Sequence, residues 1–137
     1  MTYDPIPDLV GLGYTWREAA FLYMVGRTSG VFLGRQYSHF LQRKPGALIL
    51  QFVERAERLG HLAVLEYGQR RRVYHLKSRT VYRILGDEES QNRRAKGDHE
   101  IKTRLMVLDY VLERLPEAFL CSGAEKEMFF QESLGIG

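Results

Sequence analysis

Two short segments in the middle of the chain have the composition of β-strands and flank a turn rich in arginine. The first runs from His61 to Tyr67 and the second from Arg72 to Leu76, with the turn at Gly68 to Arg71. Both contain the β-branched and aromatic residues that fit a pleated sheet. The two segments are therefore predicted to form a β-hairpin.

Amphipathic segments ahead of the hairpin predict three helices. Residues Thr15 to Glu18 fit a capping box, in which the threonine hydroxyl and the glutamate carboxylate each accept a backbone N–H. Apolar residues then recur at three- and four-residue spacing, as in helices with one buried face. The predicted helices run from Thr15 to about Gly26, from Gly34 to Gln42 and from Ala47 to Leu59, with an extended connector over Ser29 to Leu33 and Gly60 as the left-handed cap of the third helix.

The predicted fold class is mainly α with a small β-hairpin, which is an α+β structure. The 137 residues are close to the usual size of one domain, and a hydrophobic content of 45% excludes disorder over most of the chain. Six aromatic residues at helix- or strand-facing positions are expected in the core: Trp16, Tyr23, Phe32, Phe40, Phe52 and Tyr74. The predicted boundaries are an irregular lead-in over 1–14, a domain over 15–85 that ends in a short helix capped by Ser78, an exposed polar linker over 86–98, and a helical segment over 99–137.

Cysteine content and hydropathy limit where the protein works. The single cysteine, Cys121, excludes an intrachain disulfide. No apolar run reaches the roughly 20 residues that cross a bilayer, and the first residues lack the basic and apolar regions of a signal peptide. We therefore expect a cytoplasmic protein with no membrane partner.

Positive charge is concentrated in the middle of the chain. Residues 43–83 carry a net charge of +7, whereas residues 1–42 are neutral and residues 84–137 carry −4. A basic region of this kind suggests that one face of the protein meets a polyanion.

The element order over Thr15 to Leu76 resembles that of winged helix-turn-helix DNA-binding proteins. Leu59-Gly60-His61, followed by Arg70-Arg71-Arg72-Val73-Tyr74-His75-Leu76, is similar to their helix-end and wing pattern. A downstream helix with His99-Glu100-Ile101-Lys102 and Leu108-Asp109 further resembles the replication-relaxation family of plasmid- and phage-associated proteins. The resemblance implies a winged helix-turn-helix with a long C-terminal helix that binds double-stranded DNA, as a transcriptional regulator or a replication factor.

In a helix-turn-helix, the second helix of the pair enters the major groove, and here that helix begins near Pro45. We expect Arg43 and Lys44 to neutralise phosphates, Gln51 to read an adenine edge and Arg55 a guanine. The alternative for Arg55 is a solvated helix face shared with neighbouring glutamates. The apolar start of the helix, residues 47–50, leaves open weak sequence specificity, contact with thymine methyls, or binding to a protein instead of DNA.

The turn of the hairpin is predicted to contact DNA. Gln69, Arg70, Arg71 and Arg72 place three adjacent cations beside one acid, Glu66. Such a turn can lie on phosphates or insert an arginine into the minor groove. The alternative is a basic hairpin that is merely solvated.

The last predicted helix carries an apolar stripe at heptad spacing. Its steps of four and three residues match the a and d positions of a coiled coil. We expect this stripe to form a homodimer interface, or else to be covered by the apolar residues between Ala118 and Phe130 of a monomer. The stripe consists of Ile101, Leu105, Leu108, Leu112 and Leu115.

The sequence gives little support for an enzyme. Cys121 has no histidine near it in sequence, and Asp109 and Glu113 fit the wet edge of an amphipathic helix better than a nuclease centre. His61 and His75 flank the hairpin without a further ligand at metal-binding spacing. We therefore expect no catalytic residues, metal or cofactor. Two alternatives to a DNA-binding regulator stay open: the DNA-binding module of a longer replication, mobilisation or nuclease protein, and a winged helix that binds other proteins.

Overall fold

The computed structural model describes residues 4–42, 46–67 and 71–114. These residues form a mainly helical α+β structure with one small three-stranded antiparallel sheet, which confirms the predicted α+β class. No helix in these three ranges is long and apolar enough to cross a membrane. The elements are α1 (Ile6–Gly11), α2 (Trp16–Arg27), β1 (Val31–Phe32), α3 (Gly34–Leu41), α4 (Ala47–Arg58), β2 (Leu62–Tyr67), β3 (Arg71–Leu76), α5 (Arg79–Ile84), a 3-10 turn (Gln91–Arg93) and α6 (Asp98–Glu113).

Helix α2 lies at the centre of the core because nearly its whole circumference is apolar. Its N-terminus has the predicted capping box: Thr15 Oγ1 accepts the Glu18 N–H at 3.2 Å, and Glu18 Oε1 accepts the Thr15 N–H at 2.9 Å. The ring of Phe21 lies 5.0 Å from that of Phe32 and 5.2 Å from that of Phe40. Five of the six aromatic residues expected in the core are buried, and Trp16 is partly exposed.

Helices α3 and α4 follow each other closely and pack through aromatic rings. Gln42 ends α3 in the left-handed conformation, with φ 56°. The ring centroids of Tyr37 on α3 and Phe52 on α4 are 4.5 Å apart. Helix α4 buries Phe52, Val53 and Ala56 and leaves its other side in solvent. The predicted left-handed cap is present at Gly60, with φ 79°.

Strand β3 lies between β1 and β2 and is antiparallel to both. Side chains alternate between the two faces of the sheet. One face, which we call the body face, packs against the helices through Phe32, Tyr74 and Leu76. The opposite face, the outer face, carries Val31 and Val73.

The outer face is covered by α6 and by the segment that precedes it. Ile101 packs against Val31 and Val73. Asn92 binds at the end of α2, where its Nδ2 donates to the Gly26 carbonyl at 3.0 Å, and its own carbonyl accepts from His75 Nε2 at 2.9 Å. Most of the predicted linker over 86–98 is exposed, but its centre is docked on the body, where Ser90 is buried and Asn92 makes hydrogen bonds through its side chain and its backbone.

The predicted irregular lead-in over 1–14 also differs from the structure. Residues Ile6–Gly11 form helix α1, and Ile6 and Leu9 are buried. Pro5 precedes the helix, and Asp4 Oδ1 accepts the Ile6 N–H at 3.0 Å. Proline is tolerated at a helix start because the N–H that it lacks has no partner there.

Candidate nucleic-acid interface

The exposed side of α4 combines polar and apolar residues. Gln51 is exposed, as a base-reading residue would be. Leu48 and Leu50 are also exposed, with 43% and 61% of their surface accessible to solvent. Glu54 and Arg58 continue the same side of the helix. This side thus has a polar residue in the predicted position, but it carries no excess of positive charge.

Arg55 has a structural role, which is an ion pair with α2. Its Nη1 pairs with Oε1 of Glu18, whose side chain is buried. The guanidinium is therefore held against α2, with its side chain only partly exposed to solvent. Arg55 also lines the groove that contains Gln51, so the reading of a guanine by Arg55 stays a prediction, and such a contact would compete with the ion pair to Glu18.

A shallow groove of about 430 Å³ lies between the start of α2 and the exposed side of α4. Gln51 and Leu48 line it from α4, and Trp16 and Arg17 from α2. Arg17 is exposed and has no ion-pair partner within the described ranges. The position of Arg17 beside α4 depends on how the two helices pack, so this cation was not predicted from the sequence.

The two arginines of the hairpin that the structure describes, Arg71 and Arg72, both lie in strand β3 and not in the turn. Because neighbouring residues of a strand face opposite sides, they separate. Arg72 is on the body face, opposite Glu66, and their charged atoms are 3.6 Å apart with both side chains exposed. Arg71 is on the outer face, toward α6. The predicted single cluster is therefore divided between two surfaces.

Several predicted contact residues lie outside the described residues. They are Arg43, Lys44, Gln69 and Arg70, together with Leu115 of the predicted dimer stripe, Cys121 and the apolar segment from Ala118 to Phe130.

The apolar stripe of α6 is used within the chain. Leu108 and Leu112 belong to the main core, and Ile101 belongs to the outer-face cluster. Leu105 is partly buried against that second cluster. The prediction that these residues form a dimer interface is wrong for the three buried ones, because they already pack against the body of the same chain. The exposed apolar residues of α6 are Met106, Val107 and Tyr110.

The two buried histidines bind different partners. The Tyr14 hydroxyl and His61 Nδ1 share a hydrogen bond of 2.6 Å, and burial raises the pKa of Tyr14, which keeps the phenol protonated. Burial lowers the pKa of His61 and also that of His75. Both imidazoles are thus favoured in the neutral form. Within the described ranges, no group of three or more histidine, cysteine, aspartate or glutamate side chains is arranged to hold a metal ion.

Comparison with protein-family models, with curated proteins and with solved structures finds no match to this chain.

Proposed function

We propose that residues 15–76 form a winged helix-turn-helix domain that binds double-stranded DNA. In this proposal, α3 and α4 are the helix-turn-helix pair, α4 lies in the major groove, and the β2–β3 hairpin is the wing. The element order and the strand order β1-β3-β2 support it. The short connection between α3 and α4 also supports the proposal, and so does the side of α4 that lies in solvent.

The observation that carries the proposal is the position of Arg72. It is exposed on the body face of the hairpin, and the rest of that face packs on the same helical body that holds α4. Its ion pair with Glu66 is long and solvated, so it holds the guanidinium weakly and phosphate can replace it. Gln51 and Arg17 add a hydrogen-bonding group and a second cation beside α4.

The roles follow from the chemistry of each side chain. Arg72 and Arg17 contact phosphates, which supply affinity without reading sequence. Gln51 contacts a base edge in the major groove, where an amide can pair with adenine. Leu48 and Leu50 contact thymine methyl groups, which are the apolar features of that groove.

Fluorescence anisotropy with a short labelled duplex at several salt concentrations tests the proposal. With about four to six phosphates neutralised, log K falls against log salt with a slope of roughly −4 to −5. Arg72→Ala weakens binding to all duplex sequences and makes the slope less negative by about 1. Arg94→Ala is the matched control, because Arg94 is exposed in the segment before α6. Equal losses for the two variants would contradict the assignment of the wing.

A second candidate function is binding to another protein through α4. The exposure of Leu48 and Leu50, together with Glu54 on the same side, favours it. A base-reading helix usually presents more polar groups to the groove. Absence of salt-dependent duplex binding by the wild-type chain would favour this second function over the first.

A further inference from the structure

A cavity of about 650 Å³ lies between the β2–β3 hairpin and α6, on the outer face of the sheet. Its apolar wall comes from Leu33, Val73, Ile101 and Leu105. Val73 and Ile101 are buried, so this wall is part of the folded structure and does not depend on a flexible side chain. Small-molecule sites typically measure about 300–1,000 Å³ and have apolar walls with a few charged or polar groups.

Two cations at the edge of this cavity have no acidic partner within the described ranges. They are Arg71, from the start of β3, and Lys102, from the first turns of α6. Two further charged residues line the cavity, Arg35 and Asp98. Arg35 is paired with Asp109 through two hydrogen bonds, at 2.9 and 3.0 Å. The carboxylate of Asp98 lies beside the Tyr67 hydroxyl, whose pKa is raised by burial and then by that carboxylate. With the negative charge of Asp98 counted, Arg71 and Lys102 still leave the lining with a net positive charge.

We propose that this cavity binds a small organic carboxylate with an apolar body. The carboxylate accepts charge-assisted hydrogen bonds from Arg71 and Lys102, and the apolar body packs on Val73 and Leu105. Neutral molecules would lose the charge-assisted bonds, and organic cations would be repelled. Such a ligand bridges strand β3, which carries Arg71, and helix α6, which carries Lys102.

Ligand binding also affects the hairpin. Arg71 is adjacent to Arg72 on β3. A carboxylate that neutralises Arg71 lowers the positive charge of the wing, so it lowers the affinity for a duplex. This regulatory step rests on the proposed DNA-binding function, whereas the binding of the carboxylate does not.

Isothermal titration calorimetry of the full chain with octanoate and with 1-octanol tests the cavity directly. The two probes share an apolar chain and differ in charge. We expect octanoate to bind about tenfold more tightly than octanol, the effect of a hydrogen bond to a charged group. Lys102→Gln lowers the affinity for octanoate about tenfold and leaves the affinity for octanol unchanged. Lys77→Gln, a matched change at an exposed lysine outside the cavity, leaves both unchanged.

A second variant fills the cavity without altering its charge. Leu105→Phe lowers the affinity for both probes. The circular dichroism spectrum and the melting temperature of the variant check that it folds. Equal affinity for octanoate and octanol, equal effects of Lys102→Gln and Lys77→Gln, or no binding of octanoate to the wild type would each overturn the proposal.

The regulatory step is tested separately, by measuring duplex affinity with and without saturating octanoate. We expect weaker duplex binding by the wild type in octanoate and no change for Arg71→Gln. Octanoate that binds in the calorimeter without altering duplex affinity would overturn the regulatory step alone. Absence of any duplex binding would overturn the proposed function and leave the calorimetric result in place.

Discussion

The two faces of the sheet are covered in different ways. The body face packs into a large continuous core, in which Phe32, Tyr74 and Leu76 meet α2 and the helices around it. The outer face contributes Val31 and Val73 to a small cluster with Ile101, and it leaves a cavity beside that cluster. Close packing makes the body face the source of stability. The outer face is packed less completely, and the cavity beside it is lined by both apolar and charged residues.

The largest expected difference is between two leucines on opposite faces. Leu76→Ala should lower the free energy of unfolding by about 3–4 kcal/mol, because Leu76 is fully buried in the main core. Leu105→Ala should cost about 1 kcal/mol, since that side chain is only partly buried on the outer side. Urea denaturation measures both values. Similar losses would mean that the outer cluster contributes to stability as much as the body does.

The junction between α2 and the segment before α6 can be tested at Gly30. Its φ is 75°, and a Cβ there would lie 2.8 Å from Asn92 Cβ and 2.9 Å from its carbonyl oxygen. We expect Gly30→Ala to cost about 2 kcal/mol, from the left-handed backbone and this close approach. Gly46→Ala is the control, because φ at Gly46 is extended and, among the residues that the structure describes, no atom lies within 4 Å of an added Cβ. A stable Gly30→Ala variant would show that the docked position of Asn92 is not required.

The contribution of ion pairs to the free energy of unfolding can be compared at two arginine–carboxylate pairs. Arg55 pairs with the buried Glu18, and Arg55→Ala should cost about 1–2 kcal/mol because the carboxylate loses its partner. Arg35 pairs with Asp109 at the surface, and Arg35→Ala should cost less than about 0.5 kcal/mol. Chemical denaturation of both variants measures the difference. A larger effect at Arg35 would contradict this ranking.

The smallest expected effect is on pH dependence. Burial lowers the pKa of His61 and of His75, so at mildly acidic pH the unfolded chain binds more protons than the folded chain. The free energy of unfolding should therefore fall as the pH drops below about 6.5, the ordinary value for histidine, toward the lower folded-state pKa values. Replacing His75 by Gln should reduce this slope, which denaturation at a series of pH values from 5 to 8 measures. A slope that the substitution leaves unchanged would contradict the assignment to His75.

Local features of the fold were predictable from sequence. The capping box at Thr15, the left-handed Gly60 and the cap at Ser78 all depend on residues within a few positions of each other, and each is present. Helix α1 is the exception, because its proline and glycine content is also typical of irregular structure.

Long-range contacts were not predictable in this way. The pairing of Arg55 with Glu18 and the docking of Asn92 on α2 join segments that are far apart in sequence. A heptad stripe such as that of α6 records that an apolar face is covered, but not whether the cover is another chain or the same one. Here Leu108 and Leu112 are covered by the chain itself.

The candidate site was only partly predictable for the same reason. Three adjacent arginines in a predicted turn indicate one cationic surface. Side chains alternate between the two faces of a strand, so Arg71 and Arg72 on β3 belong to different surfaces. The exposed position of Gln51 agrees with the expected orientation of α4. The cation at Arg17 was missed, because only the packing of α2 on α4 brings it there.

Adjacent residues on β3 can also evolve separately. A substitution at Arg71 alters the outer face and one at Arg72 alters the body face, although their codons are neighbours in the gene. The proposed ligand cavity and the proposed contact with DNA can therefore change independently of each other during evolution.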